Sequence, residues 1–144
     1  MRMMWNDIIE DGVAFPGTDV LSKEIINQMI SQQDAVNCMY VDKTLVGYYI
    51  LHPNNIGRCS HVANASYVLD KTMREKHLVE HSTKTAKESD FRGMQFNAIA
   101  ESNKSALHTY KSLGFKEVGM IPQGVRLKDG SYSNMYIVLY LSLL

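Results

Sequence analysis

Asn103-Lys104-Ser105-Ala106-Leu107-His108-Thr109-Tyr110-Lys111-Ser112-Leu113-Gly114-Phe115 writes out a helix start, an apolar face and a stop in one short run. Asn103 can cap the N-terminus through its side-chain oxygen. Ala106, Leu107, Tyr110 and Leu113 recur at helical spacing, and Gly114 supplies a left-handed residue that ends the helix. Phe115 then opens a strand. On its own the run predicts a helix packed on a sheet, with Tyr110 on the buried face.

Working outward, Trp5 to Asp11 reads as a helix stopped by Gly12, and Ser22 as the N-cap of a helix with Ile25, Ile26, Met29 and Ile30 in one stripe. Val36 to Val41 and Leu45 to Leu51 are β-rich runs joined across Asp42-Lys43-Thr44 as a hairpin. A turn-rich connection, His52 to Gly57, leads to a strand over His61 to Leu69. Leu78 to Ser89 reads as a helix and Met94 to Ile99 as a strand. After the Tyr110 helix come strands over Glu117 to Ile121 and Met135 to Leu141, separated by a loop with Asp129-Gly130. Alternating strands and helices with a hairpin on each side predict an α/β sandwich: one mixed sheet flanked by helices. A chain of 144 residues without repeat or linker reads as one domain.

Lys plus Arg equals Asp plus Glu, at 15 each, so bulk charge gives no case for nucleic acid or an anionic membrane. Cys38 and Cys59 lack C-x-x-C spacing, and two thiols make no disulfide framework. The start lacks a signal-like apolar run, and no segment reaches the length of a membrane span. These features give the expectation of a soluble, cytoplasmic protein.

The wording N-x-x-A-x-x-x-Y-x-x-L-G-F resembles the cofactor-side helix of GCN5-related N-acetyltransferases. Gly47 to Asn54 and His61 to Val68 look like that fold's third and fourth strands, and Phe91 to Ala98 looks like the entry to its fifth. The resemblance covers roughly residues 5 to 141. Its G-Y-Y-I, H-V-A-N-A and Q-F-N words are similar to the branch with the yeast azetidine-2-carboxylate acetyltransferase. The family fold is a mostly antiparallel sheet whose fourth and fifth strands are parallel and splay apart.

The resemblance implies an N-acetyltransferase that uses acetyl-CoA as co-substrate and no metal, with a small-molecule amine or amino acid as acceptor. In such enzymes the pantetheine arm lies in the splay, on strand-like hydrogen bonds. The amine attacks the thioester directly, and a backbone N–H stabilises the oxyanion. Transferred residue by residue, the cofactor contacts are Tyr67, Val68, Leu69, Arg74, Lys76, His77, Asn103, Ala106 and Tyr110. Tyr110 is also the general acid for the thiolate. Asn64 and Asn97 are expected to hold the amine, and Phe15 to wall its pocket. The bland alternative is that both amides only satisfy exposed backbone. No carboxylate stands on these strands to act as base, and His61, a possible relay, reads more readily as structural. Neither the acceptor nor the oligomeric state is legible, with a homodimer left open.

One departure matters. The family binds pyrophosphate on a glycine-rich loop before the next helix, and here Thr72 to Ser82 contains no glycine. About four residues lack a counterpart after Arg74. Either the loop is truly short, leaving a weak enzyme or a non-catalytic binding module, or residues are missing from the sequence. The family's first strand and most of its first helix also lack a counterpart. A rival from another class is the H-x-x-E-H pattern of inverted zinc peptidases at His77, Glu80 and His81, for which no third ligand is evident.

Overall fold

Strand alternation and helix amphipathicity together dictate a three-layer arrangement, seen in the computed structural model, which describes residues 1–12, 17–73 and 75–141. Phe15 and Arg74 lie outside the described residues. Helices α1 (Arg2–Asp11) and α2 (Lys23–Ser31) precede the hairpin β1 (Ala35–Val41) and β2 (Thr44–Pro53). Then come β3 (Val62–Leu69), α3 (Lys76–Glu88), β4 (Gly93–Ala100), α4 (Lys104–Ser112), β5 (Lys116–Arg126) and β6 (Tyr132–Leu141).

The sheet order is β1-β2-β3-β4-β6-β5, antiparallel throughout except for β3 beside β4. This is the mixed sheet that the strand and helix pattern predicts, with the parallel, diverging pair that the family resemblance implies. Successive side chains of a strand face opposite sides, and the core divides accordingly. Tyr48, Ile50 and Val68 pack under Trp5 and Ile9 of α1 and Ile26 of α2. Tyr49, Leu51, Ala65, Tyr67, Met94 and Phe96 pack on the other face, against Leu78 and Val79 of α3 and Tyr110 of α4. Leu51 and Val79 are fully buried, each such side chain contributing about 1.5–3 kcal/mol.

The local signals act as read. Ser22 Oγ accepts from the Ile25 N–H, and Asn103 Oδ1 from the Ala106 N–H. Gly12 closes α1 at φ 69°. At the end of α4 the Phe115 N–H reaches the Tyr110 carbonyl at 3.0 Å, and the Gly114 N–H reaches that of Lys111 at 3.2 Å. Gly114 stands at φ 91° between them. This double bond is a Schellman closure, and it brings Phe115 against Tyr110.

Three expectations are corrected. Ile25 is 53% exposed, because the stripe facing the sheet runs through Ile26, Met29 and Ile30 only. Strand β5 continues past Ile121 to Arg126, with an irregularity between Ile121 and Val125 that lets Pro122 sit in it. Strand β2 runs two residues past Leu51, through His52 and Pro53.

Candidate active site

Parallel pairing between β3 and β4 is confined to Val62 with Gly93 and Ala63 with Met94. Beyond that apex the strands separate, and the slit between them opens into a cavity of about 270 Å³. The backbone of Val62 faces β2, where its carbonyl accepts from the Asn54 N–H, while the carbonyl of His61 takes the Arg92 N–H beside β4. Alternation therefore turns the backbone groups of Ala65, Tyr67 and Leu69 toward the slit, and those of Asn64, Ser66 and Val68 toward β2. The slit edge of β3 thus carries strand-type donors and acceptors with no β4 partner.

Tyr110 lines the slit from the α3/α4 side. It is 6% exposed, and its ring stacks on Phe96 at 4.5 Å between centroids. Its hydroxyl donates to Glu75 Oε1 at 3.0 Å. Burial raises the Tyr110 phenol well above its ordinary pKa, and the Glu75 charge raises it further. Burial also raises the Glu75 carboxyl, with the Tyr110 hydrogen bond working against that shift. A half-buried carboxylate therefore stands in the same cavity as the phenol.

Asn64 and Asn97 come together, as the sequence reading required. Both amides point at one oxygen: Asn64 Nδ2 donates to Asn54 Oδ1 at 3.0 Å, and Asn97 Nδ2 to the same atom at 2.6 Å. Gln95 Nε2 donates in turn to Asn97 Oδ1 at 2.7 Å. Asn97 sits where β4 slips against β6 between Phe96 and Ile99, on the same face as Gln95. The cluster lies on the sheet face that carries α1 and α2, because Asn64 is opposite His52 and Asn54 follows two residues on.

Of the other expected contacts, Tyr67, Asn103 and Ala106 line the cavity. The Tyr67 hydroxyl meets Ser82 Oγ at 2.7 Å, inside the core, and burial raises its pKa. Val68 is not at the slit: its side chain is wholly buried beneath α1 and α2, and its backbone belongs to the β2 ladder. Leu69 packs on the core beyond the cavity lining. Lys76 and His77 are exposed at the start of α3, outside the cavity. His61 precedes β3, exposed, with Nδ1 3.1 Å from the Arg58 carbonyl.

Before α3, two N–H groups of the described residues are already engaged. Asp70 Oδ1 accepts from the Thr72 N–H at 2.9 Å, and the Asp70 carbonyl accepts from the Met73 N–H at 2.9 Å. These two N–H groups are thus turned into the turn itself and not outward to an anion. On α3, His81 Nδ1 lies 2.8 Å from the Tyr49 hydroxyl, whereas His77 Nδ1 faces Glu80 at 3.6 Å. The two histidines thus have separate partners. Among the described residues no group of three or more His, Cys, Asp or Glu is placed to hold a metal ion.

Asn54 and Glu101, and the contact of Glu75 with Tyr110, escape the sequence reading. Glu75 reaches Tyr110 only through the path of the turn after β3. Asn54 lies in a turn-rich stretch, although its two-residue step from His52 signals a shared face. Glu101, directly after β4, accepts from Asn134 Nδ2 at 3.0 Å and from the Tyr136 hydroxyl at 3.3 Å. Glu75 lines the cavity without being on its strands, and Glu101 lies on the β6 side of β4.

The fold is that of the GCN5-related N-acetyltransferases. A GCN5-related N-acetyltransferase from Kribbella flavida superposes with a TM-score of 0.88 at 23% identity, over 99% of this chain and 90% of that one. A phosphinothricin acetyltransferase from Sinorhizobium meliloti, in complex with acetyl-CoA, superposes at 0.89 and 15% identity, over 97% and 80%. In sequence, the chain is 28% identical over 102 residues to the N-acetyltransferase aca1 of Schizosaccharomyces pombe. That match covers 67% of this chain and 49% of the relative, so the chain spans about half the length of the curated relative it matches. No family model matches the chain. No described helix is long and apolar enough to cross a membrane.

Proposed function

We propose that this chain is an acetyl-CoA-dependent N-acetyltransferase acting on the amine of a small molecule or amino acid. The observation that carries the reading is the two-sided slit: Tyr110 on the α3/α4 face, the Asn54–Asn64–Asn97 cluster on the other. The acetyl-CoA-bound relative and the N-acetyltransferase from fission yeast support the same chemistry.

On this reading the pantetheine arm lies against the outward backbone groups of Ala65, Tyr67 and Leu69, completing the strand edge. The amine enters from the α1/α2 face and attacks the thioester carbonyl. A C–N bond forms, and the carbonyl oxygen becomes an oxyanion near the Tyr67 N–H. Collapse breaks the C–S bond, the thiolate takes the Tyr110 proton, and the proton released from the attacking nitrogen passes to water, which returns one to Tyr110. Before that, the Glu75 carboxylate must leave the Tyr110 hydroxyl, which it holds in this structure.

The same Glu75, with the inward-turned donors of Asp70 to Met73, favours a second reading: a binding module impaired at the pyrophosphate end. Thiol release from acetyl-CoA, followed with a disulfide reagent across free amino acids, small amines and azetidine-2-carboxylate, separates the two. Amine-dependent release supports the enzyme. Calorimetric binding of acetyl-CoA without release for any amine supports the module.

A further inference from the structure

Asn54 stands at the centre of the amide cluster, and its geometry has a polarity. One oxygen, Asn54 Oδ1, accepts from both Asn64 and Asn97, and Asn97 Oδ1 accepts from Gln95. Each donated N–H points along the chain toward Asn54. Turning the Asn54 amide alone would set its NH₂ against two other NH₂ groups at 3.0 and 2.6 Å, which is repulsive. The cluster can therefore change sense only as a whole. In the sense seen here, Asn64 Oδ1 takes no hydrogen bond among the described residues, and Asn64 lines the cavity.

We propose that Asn54 is a positioning residue for the acceptor: by taking both Nδ2 donors, it turns the Asn64 carbonyl oxygen toward the slit, making that position select an N–H donor. The recognised group is an amine or ammonium, and a carboxylate is disfavoured there because the site offers it an acceptor. Asn54 itself is anchored as an extension of β2, its N–H bonded to the Val62 carbonyl at 2.7 Å. It acts through Asn64 and Asn97 without forming a bond to the reacting atoms. The selectivity argument rests on the acetyltransferase reading; the hydrogen-bond polarity does not.

Two substitutions in the full chain test it. Asn54→Ala removes the shared acceptor, while Asn54→Asp keeps an oxygen that can accept both donors but can donate to neither. Side-chain amide hydrogen exchange of Asn64 and Asn97, read by NMR without any substrate, should quicken about tenfold in Asn54→Ala and stay at the wild-type rate in Asn54→Asp. With azetidine-2-carboxylate as the probe amine, Asn54→Ala should raise its KM about tenfold and leave that of acetyl-CoA unchanged. Asn54→Asp should hold the amine KM at or below the wild-type value. If Asn54→Asp speeds exchange as much as Asn54→Ala, the cluster runs in the opposite sense and the proposal is overturned. Unchanged exchange in Asn54→Ala overturns it as well. A wild-type chain that does not acetylate the probe counts against that substrate reading, while the exchange measurement still decides the polarity.

Discussion

Tyr110 and Glu75, 35 residues apart in the chain, are joined in the slit by a 3.0 Å hydrogen bond from phenol to carboxylate. The bond links the N-cap of α3 to the buried face of α4. Both residues line the cavity between β3 and β4.

Stability should follow the ionisation of Glu75. Burial raises its folded pKa above the unfolded value of about 4.3, so between those two values the folded chain holds more protons than the unfolded one. The stability this group contributes is complete below the unfolded pKa and is lost as pH rises through the folded one. Glu75→Gln keeps an acceptor for Tyr110 without the charge. Its melting temperature should match wild type below about pH 4 and exceed it at neutral pH. Equal melting temperatures at neutral pH would show that the carboxylate is solvated.

Tyr110→Phe should lower turnover ~10²-fold with little change in acetyl-CoA affinity, the usual effect of removing a positioned general acid. Unaltered turnover would assign the proton to water and leave the hydroxyl as the partner of Glu75.

Asn64→Ala and Asn97→Ala should each raise the KM for the amine, a lost contact in such a pocket being worth about 1–3 kcal/mol. Each also removes a donor to Asn54. Loss of thermal stability alone, with the KM intact, would show that the amides serve the fold and not the acceptor.

Acetyl-CoA should bind this chain more weakly than a typical micromolar cofactor, because the stretch from Thr72 to Ser82 has no glycine and the N–H groups of Thr72 and Met73 are engaged within the turn. Inserting glycine-containing residues between Arg74 and Lys76 should tighten binding by supplying backbone that can bend around a phosphate. Calorimetry on both chains decides, and tight binding by the uninserted chain would refute the account of the turn.

Gly114→Ala should cost about 1–2 kcal/mol in urea unfolding. The residue stands at φ 91°, and an added Cβ would meet the Tyr140 ring at 3.3 Å. Because the Schellman closure sets Phe115 against Tyr110, any surviving activity should fall as well.

The legible parts of this molecule are those encoded within a few residues. Caps at Ser22 and Asn103, the stop at Gly114 and the hairpin at Asp42-Lys43 are local chemistry, and each acts where the sequence places it. The meeting of Asn64 and Asn97 was legible because two strands and a family resemblance fixed it. Val68 was misplaced by ignoring alternation, which sends its side chain under α1 and α2. Asn54 was hidden by its Pro-Asn-Asn setting, which reads as turn although the strand ladder reaches it. The contact of Glu75 with Tyr110 was not legible: it depends on how the turn after Leu69 crosses to α3, a matter of tertiary path and not of local pattern.

Because β3 presents alternate residues to opposite faces, its length is under a constraint that the neighbouring turn escapes. Deleting one residue between Val62 and Leu69 would rotate everything beyond it by half a period, exchanging the Asn64 face for the Tyr67 face. Deleting residues between Asp70 and Glu75 moves no strand register at all. The segment before α3 can therefore change length while the sheet register and the Asn54–Asn64–Asn97 cluster stay in place.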